Sequence, residues 1–545
     1  MRHFDQTAYL NEIEFCLAER DEIKLAAVLQ EFGQVDKDTQ LTALDYVRRS
    51  DSPLALPMLG RFASREGLDD DVRLKLYLTL IEMFYDHHQT LLQILSDDSI
   101  PVKTMFIEIA GEFQLDEALP IINNILKTSY VTSELKACLV ALGHLGSPEA
   151  VSYLNEYLYA GDKQLITAAI NAMAEVRGDL AIARLADSLG RNNETDALIL
   201  QKLAKIQTSL AISKLINLLA SSSVFLRSTA KAHLLEIGPR VLPLLFINLE
   251  KTDPDLLVHT LNVIGDIGDV SAITPILKFL KKNPEDANVR FAAYEALGNL
   301  PTARAIMGVV NGLMDSNHHV RVAAAGAVER NLCPALVVGL KNMIKSRVAE
   351  VKGMAAAILD ARAQGVFLSL SDDNEFIKDA RQYLINAQDQ DSVTFFVELC
   401  SSVGREDLLH GVAEEAAGKM APPTTRPLVY AVDDSKMMLR IYATKLAQLG
   451  YEAHVFEFPR EALESMYAVK PRILLTDLNM PDMTGIDLTR AVKTEESLQD
   501  IPVIMITTQK DEEDRRAAIK VGVNGFLNKP FKDDELKAEI ERLLV

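Results

Sequence analysis

One column of mostly small residues recurs along most of this 545-residue chain: Gly111, Gly143, Ala174, Ala204, Leu235, Gly265, Gly298, Glu329 and Asp360, at steps of 30 to 33 residues. A period of that length describes one supersecondary unit repeated in series, because a single unit cannot bury its own apolar face and must stack on a neighbour. Eight residues earlier a basic column holds Lys103, Arg227, Arg290, Arg321 and Lys352, with Arg73 one residue out of phase. The clearest unit is residues 288–300, Asn-Val-Arg-Phe-Ala-Ala-Tyr-Glu-Ala-Leu-Gly-Asn-Leu, followed by a second amphipathic stretch at 303–313. Two helices per unit, with glycine and alanine where helices must approach closely, predict an all-α solenoid over residues 1–417.

Eight units are clear between 102 and 364. Weaker ones at 41–59, 72–95 and 376–399 bring the total near eleven, and 408–417 is expected to cap the stack. The unit resembles HEAT repeats, particularly the short bacterial class related to phycobilisome lyases. The basic column is expected to brace the next repeat through a carboxylate or a carbonyl, with a positive stripe for an anionic partner as the alternative.

Residues 418–427, Gly-Lys-Met-Ala-Pro-Pro-Thr-Thr-Arg-Pro, form the one proline-rich break and predict a linker. Ten residues of partly polyproline character reach at most roughly 30 Å at about 3.1 Å each. After it the pattern changes. Apolar strand candidates at 428–432, 452–456, 472–476, 501–507 and 525–528 alternate with amphipathic helix candidates at 437–449, 460–469, 486–493, 512–521 and 533–544. Five βα units predict a doubly wound α/β domain over 428–545.

Acids and a lysine fall where these strands end: Asp433 and Asp434 after the first, Asp477 after the third, Lys529 after the fifth. Ligands of parallel sheets gather at the carboxyl ends of the strands, so this placement brings the four together. Taken singly, an Asp-Asp pair is more often a helix cap, Asp477 an ordinary loop acid, and Lys-Pro carries nothing. Their order on successive strands is what points to one site.

With the loop Asn479-Met480-Pro481-Asp482-Met483-Thr484-Gly485, Thr507, Phe526 and Lys529-Pro530-Phe531, residues 428–545 resemble the response-regulator receiver domain of bacterial two-component systems, a flavodoxin-like fold. The resemblance implies Asp477 as phospho-acceptor. It implies a Mg²⁺ ion held by Asp434, Asp477 and the backbone carbonyl of Asn479, with Asp433 acting mostly through water. Lys529 would pair with the phosphoryl group, Thr507 and Phe526 would form the switch pair, and Asn479 and Gln509 would influence dephosphorylation. Thr508 is bulkier than the alanine or glycine usual there. Phosphoryl transfer asks for such a set: an in-line nucleophile, a divalent cation and a further positive charge.

Composition narrows the partners. Seventy-seven acids against 57 bases give a net charge of -20, and the absence of tryptophan with few aromatics disfavours nucleic acid. None of the ten histidines precedes a glutamate, unlike metal-dependent hydroxylases of HEAT architecture; His87-His88 and His318-His319 read as exposed turn residues. Cys16, Cys138, Cys333 and Cys400 are scattered without metal-ligand spacing, which fits a reducing cytoplasm. No signal peptide, membrane span or attached output domain is expected.

The expectation is a cytoplasmic bacterial response regulator, not an enzyme beyond its own phosphoryl chemistry, in which a histidine kinase phosphorylates Asp477 and thereby controls an unidentified protein partner of the HEAT scaffold. Two alternatives remain open at this point. The receiver acts as a phosphate sink or relay with the solenoid locating it, or the HEAT region carries an enzymatic site of its own.

Overall fold

The computed structural model describes the chain except residues 1–4, 51–54, 64–67, 101–102, 301–307, 347–350, 387–389, 420–425, 481–482, 508–511, 530, 532 and 545. Two compact units make it up, residues 1–211 and 212–545.

In the first unit, helices Thr104–Glu112, Thr132–Leu145 and Lys163–Val176 pack each against the next, with Leu119–Thr128, Pro148–Tyr157 and Asp179–Asp187 as their second helices. The small column sets the spacing. A Cβ on Gly111 would lie 2.6 Å from the Ala141 Cα, and one on Gly143 would lie 2.9 Å from the Ala172 Cα, closer than carbon atoms pack.

The second unit continues the pattern through helices Val224–Ile237, Pro254–Ile267, Ala287–Gly298, His318–Arg330, Val351–Asp360 and Asn374–Asn386. Here Gly265 abuts Ala296, and Gly298 abuts Ala327. Where the column turns acidic it bonds instead. Glu329 accepts from the backbone N–H groups of Gly365 (3.0 Å) and Val366 (2.9 Å), the open amino end of helix Gln364–Leu370. Asp360 accepts from the Tyr383 hydroxyl and pairs with His318.

The basic column differs from expectation in its targets. Arg227 donates to the Ser221 carbonyl (2.8 Å), Arg290 to those of Pro284 and Glu285 (2.7 and 2.8 Å), and Arg321 to that of Asp315 (2.7 Å). Each ties down the turn leading into its own helix; of these three, Arg290 also reaches forward, to the Asp315 carboxylate. Four residues before this column stands another that sequence reading missed: Asp162, Asn192, Ser223, Asp253, Asp286 and Asn317 each accept backbone N–H bonds as N-caps of the repeats' first helices. The two histidine pairs also differ. His87 and His88 are half-buried at the junction of helices Asp70–Asp86 and His88–Ser96, and His318 and His319 open a helix rather than sit in an exposed turn.

The same unit contains a five-stranded parallel sheet of strands β1 (Leu428–Val432), β2 (Glu452–Phe456), β3 (Ile473–Asp477), β4 (Val503–Thr507) and β5 (Gly525–Asn528), in the order β2-β1-β3-β4-β5. Helices Lys436–Gln448, Pro459–Ala468, Gly485–Thr494, Glu512–Lys520 and Asp533–Leu544 connect and follow the strands. This is the flavodoxin-like doubly wound fold. Strands β3 and β4 are buried throughout, which accounts for their unbroken apolar runs. One core gathers Val429, Ala431, Ile473, Leu475, Ile504 and Ile540 on one face; Tyr430, Val432, Leu474, Leu488 and Val503 form the other. Helix Val412–Lys419 reaches into the expected linker, most of which lies outside the described residues. Among the described residues no helix is long and apolar enough to cross a membrane, and all four cysteines are free thiols.

Candidate phosphoryl-acceptor site

Asp433 follows β1 directly, Asp477 closes β3, Thr507 closes β4 and Lys529 follows β5. The point where strand order reverses, between β1 and β3, therefore carries the two acids side by side. Lys529 Nζ donates to Asp433 Oδ2 at 2.6 Å and to Asp477 Oδ1 at 2.8 Å, bridging the ends of three strands.

Backbone and hydroxyl donors fix the carboxylates. Asp433 is fully buried and also accepts from the Ser435 backbone N–H (2.9 Å) and the Tyr442 hydroxyl (3.0 Å). Asp477 accepts from the Asn479 N–H at 3.1 Å, which turns the loop back over the strand end. That turn requires glycine at its far side: a Cβ on Gly485 would sit 2.1 Å from the Asp477 carbonyl oxygen, while the Gly485 N–H bonds the Leu478 carbonyl at 2.9 Å. Thr484 then caps helix Gly485–Thr494 by accepting from the Asp487 N–H.

The electrostatics are lopsided. Burial pushes the Asp434 carboxyl up to about 7, reinforced by Asp433 and Asp477 and opposed by Arg227 and Lys529. Burial raises Asp433 as well. It would strip the proton from Lys529, but the two carboxylates outweigh it and hold the ammonium charged. Burial lifts Tyr442 well above its ordinary value, so its hydroxyl remains a donor.

One buried ammonium faces three clustered carboxyls, and a hard divalent cation suits this excess. A cation held here would take Asp434 and Asp477 directly, with the Asn479 carbonyl and water completing its shell. No group of three His, Cys, Asp or Glu side chains among the described residues is disposed to hold a metal by itself.

Thr507 is buried, and its carbonyl accepts from the Lys529 N–H at 2.9 Å. Phe526 is half-buried on β5 against Leu478, Met505, Ala518 and Val523, with the Arg515 guanidinium 4.7 Å from its ring centre. Thr508, Gln509 and Pro530 lie outside the described residues, as do Pro481 and Asp482. Sequence reading missed Tyr442, nine residues after Asp433 on a helix, whose ring lies parallel to that of Phe531 with centres 6.0 Å apart. A tyrosine on the buried stripe of an amphipathic helix reads as core, and only its hydroxyl gives it a second role.

Known proteins resemble two parts of this chain. The family model of the response regulator receiver domain matches residues 429–541, and that of HEAT repeats matches 88–174 and 242–329. The chemotaxis protein CheY1 of Helicobacter pylori is 41% identical over 115 residues, 21% of this chain and 93% of that protein. The chemotaxis protein CheY of Pseudomonas aeruginosa is 38% identical over 116 residues, 21% of this chain and 94% of that protein. The crystal structure of Vibrio cholerae CheY4 is 32% identical, spans 22% of this chain and all of that one, and has a TM-score of 0.22. Through residues 429–541 the chain belongs to the response-regulator receiver family, and it carries HEAT repeats alongside.

Proposed function

We propose that this protein is a cytoplasmic two-component response regulator in which Asp477 accepts a phosphoryl group from a histidine kinase and the acyl phosphate controls which protein the HEAT repeats bind. The observation that carries this reading is the Lys529 ammonium bridging Asp433 and Asp477 at 2.6 and 2.8 Å. In the transfer, an Asp477 carboxylate oxygen forms a bond to phosphorus as the bond from phosphorus to the donor's imidazole nitrogen breaks. The nitrogen leaves with the electron pair. Water later cleaves the acyl phosphate and regenerates the carboxylate.

Asp434, Asp477 and the Asn479 carbonyl would hold Mg²⁺, which when bound supplies positive charge to the phosphoryl oxygens. Lys529 exchanges one carboxylate contact for a phosphoryl oxygen. The Thr507 hydroxyl then donates to the new group, and Phe526 turns inward behind it. Asn479 and Gln509 influence how long the acyl phosphate lasts. No chemistry beyond this is assigned to the chain, and its net charge of -20 favours a protein partner over nucleic acid.

The test is intact-mass spectrometry after incubation with phosphoramidate and Mg²⁺. Wild type is expected to gain one phosphoryl group, Asp477→Asn none, and Lys529→Ala a reduced yield. Equal incorporation into Asp477→Asn would overturn the assignment.

A further inference from the structure

Resting on the reading that the HEAT repeats bind a protein, we infer that the outward face of helix Asp70–Asp86 docks one amphipathic helix of that partner, apolar along its seam and rich in lysine or arginine on its flanks. One side of this helix, with Val72, Leu76, Leu80, Met83 and Phe84, is buried in the repeats. On the other side Leu74, Leu78, Ile81 and Tyr85 follow one another at alternating steps of four and three residues. Leu74, Leu78 and Tyr85 are 59%, 50% and 70% exposed, and Ile81 is half-buried. A helix apolar all round belongs inside a protein, and this fold covers one side of it. Exposed leucines scattered singly need no explanation, but four apolar residues in line at this spacing form the seam by which helices pair.

The seam continues toward the next repeat. The Tyr85 ring stands edge-on to His88 and Phe113, with centres 6.5 and 6.4 Å away, and the His88 ring lies 5.4 Å from that of Phe113. Neighbouring helices flank it. Tyr77, whose hydroxyl donates to Glu112 at 2.8 Å, brings helix Thr104–Glu112 along one side, and Arg48, 3.4 Å from Glu82, brings helix Lys37–Ser50 along the other.

Charge selects the occupant. Asp71 is paired with Lys37, and Glu82 with Arg48. Among the described residues Asp70, Asp86, Glu108 and Glu112 meet no cation, whereas Arg73 is the one base of helices Asp70–Asp86 and Thr104–Glu112 left without an acid. Burial and Glu112, one helical turn away, raise the Glu108 carboxyl. A second copy of this chain would bring these acids face to face, and like charges oppose that pairing. A partner helix with cations on its flanks supplies the charge that the acids lack.

The probe is a synthetic three-heptad peptide with leucine at the a and d positions and lysine at e and g, beside a matched peptide with glutamate at e and g. Fluorescence anisotropy on the whole chain reads affinity, and hydrogen exchange reads place. The lysine peptide is expected to protect 70–86, to bind Leu78→Ser about ten-fold more weakly, and to bind Glu108→Gln with Glu112→Gln several-fold more weakly. Leu78 faces solvent, so folding does not depend on it, and Tyr85→Ser gives an independent second readout. Val270→Ser, at an exposed apolar position of the second unit, should leave binding unchanged. Equal binding of the two peptides, protection confined to other repeats, or full affinity in both Leu78→Ser and Tyr85→Ser would overturn the inference. So would a wild-type dimer by light scattering that Leu78→Ser dissolves, because a second copy then covers the seam. Repeating the titration after phosphoramidate treatment separates the two readings. Affinity unmoved by phosphoryl incorporation would support the seam and overturn its control by Asp477, and incorporation without peptide binding would overturn the seam alone.

Discussion

The repeats and the strand ends both bury cations among carboxylates, yet they balance charge differently. Arg290 meets Asp315 through two hydrogen bonds, at 2.7 and 3.0 Å, and places two more donors on two carbonyls. The guanidinium meets one carboxylate, and four of its five N–H donors are used. At the end of the sheet, Lys529 serves Asp433 and Asp477 while Asp434 sits beside them, raised to about 7 by burial and its neighbours. Residue type does not separate structural from functional here. Stoichiometry does: in the first cluster the carboxylate has its cation, and the second lacks positive charge that a cation or a recruited group can supply.

The largest effect expected from this contrast is in the repeats. The Arg290 and Asp315 side chains are 12% and 10% exposed, so Arg290→Ala leaves a carboxylate nearly buried without its cation, a loss of about 3–5 kcal/mol for such pairs. Lys163 and Glu194 are 72% and 68% exposed, so Lys163→Ala should leave the urea midpoint unmoved. If the two variants unfold at the same denaturant concentration, buried bracing does not hold the repeats and the comparison fails at its first term.

A smaller effect belongs to the strand end. Gly485→Ala places a methyl 2.1 Å from the Asp477 carbonyl oxygen, a backbone atom that cannot rotate away. Overpacking of this kind costs about 1–3 kcal/mol. The displacement falls on the acceptor, so phosphoramidate incorporation should drop by more than the midpoint shift explains. Gly339→Ala, which meets nothing within 4 Å, is the matched control.

Much of both regions was legible in the chain because local rules and global fold agree. Strands β1, β2 and β5 run where apolar runs predicted, and the four charged residues converge because each follows a strand whose end is fixed by the parallel sheet. The glycine column was legible since close helix approach admits few residue types. What stayed hidden depends on contacts between distant elements. Nothing in the spacing of Tyr442 tells that its hydroxyl reaches Asp433, or that Arg440 meets Glu295, 145 positions away. The cap column escaped for another reason: Asp, Asn and Ser alternate in it, and only their shared ability to accept an N–H makes them equivalent.

The last expected effect sharpens the comparison most, because the two regions should respond to pH with opposite sign. Asp434 titrates near 7 in the fold against about 3.9 unfolded, so between these values the native state binds more protons. Metal-free, the sheet therefore loses stability as pH rises through this window. In the repeats, burial with Arg227 and Lys231 depresses His259 from 6.5 to about 4. There the unfolded state binds more protons, and stability is lost as pH falls from 6.5 toward 4. Protection factors from hydrogen exchange at pH 5 and pH 8 should rise in 428–432 and 473–477 at the lower pH and fall in 254–267. Mg²⁺ should erase the first trend by supplying the missing charge, Asp434→Asn should erase it without metal, and neither should touch the second. Slopes of the same sign in both regions would mean that the acid cluster is already neutralised by the fold, leaving it no need of a cation.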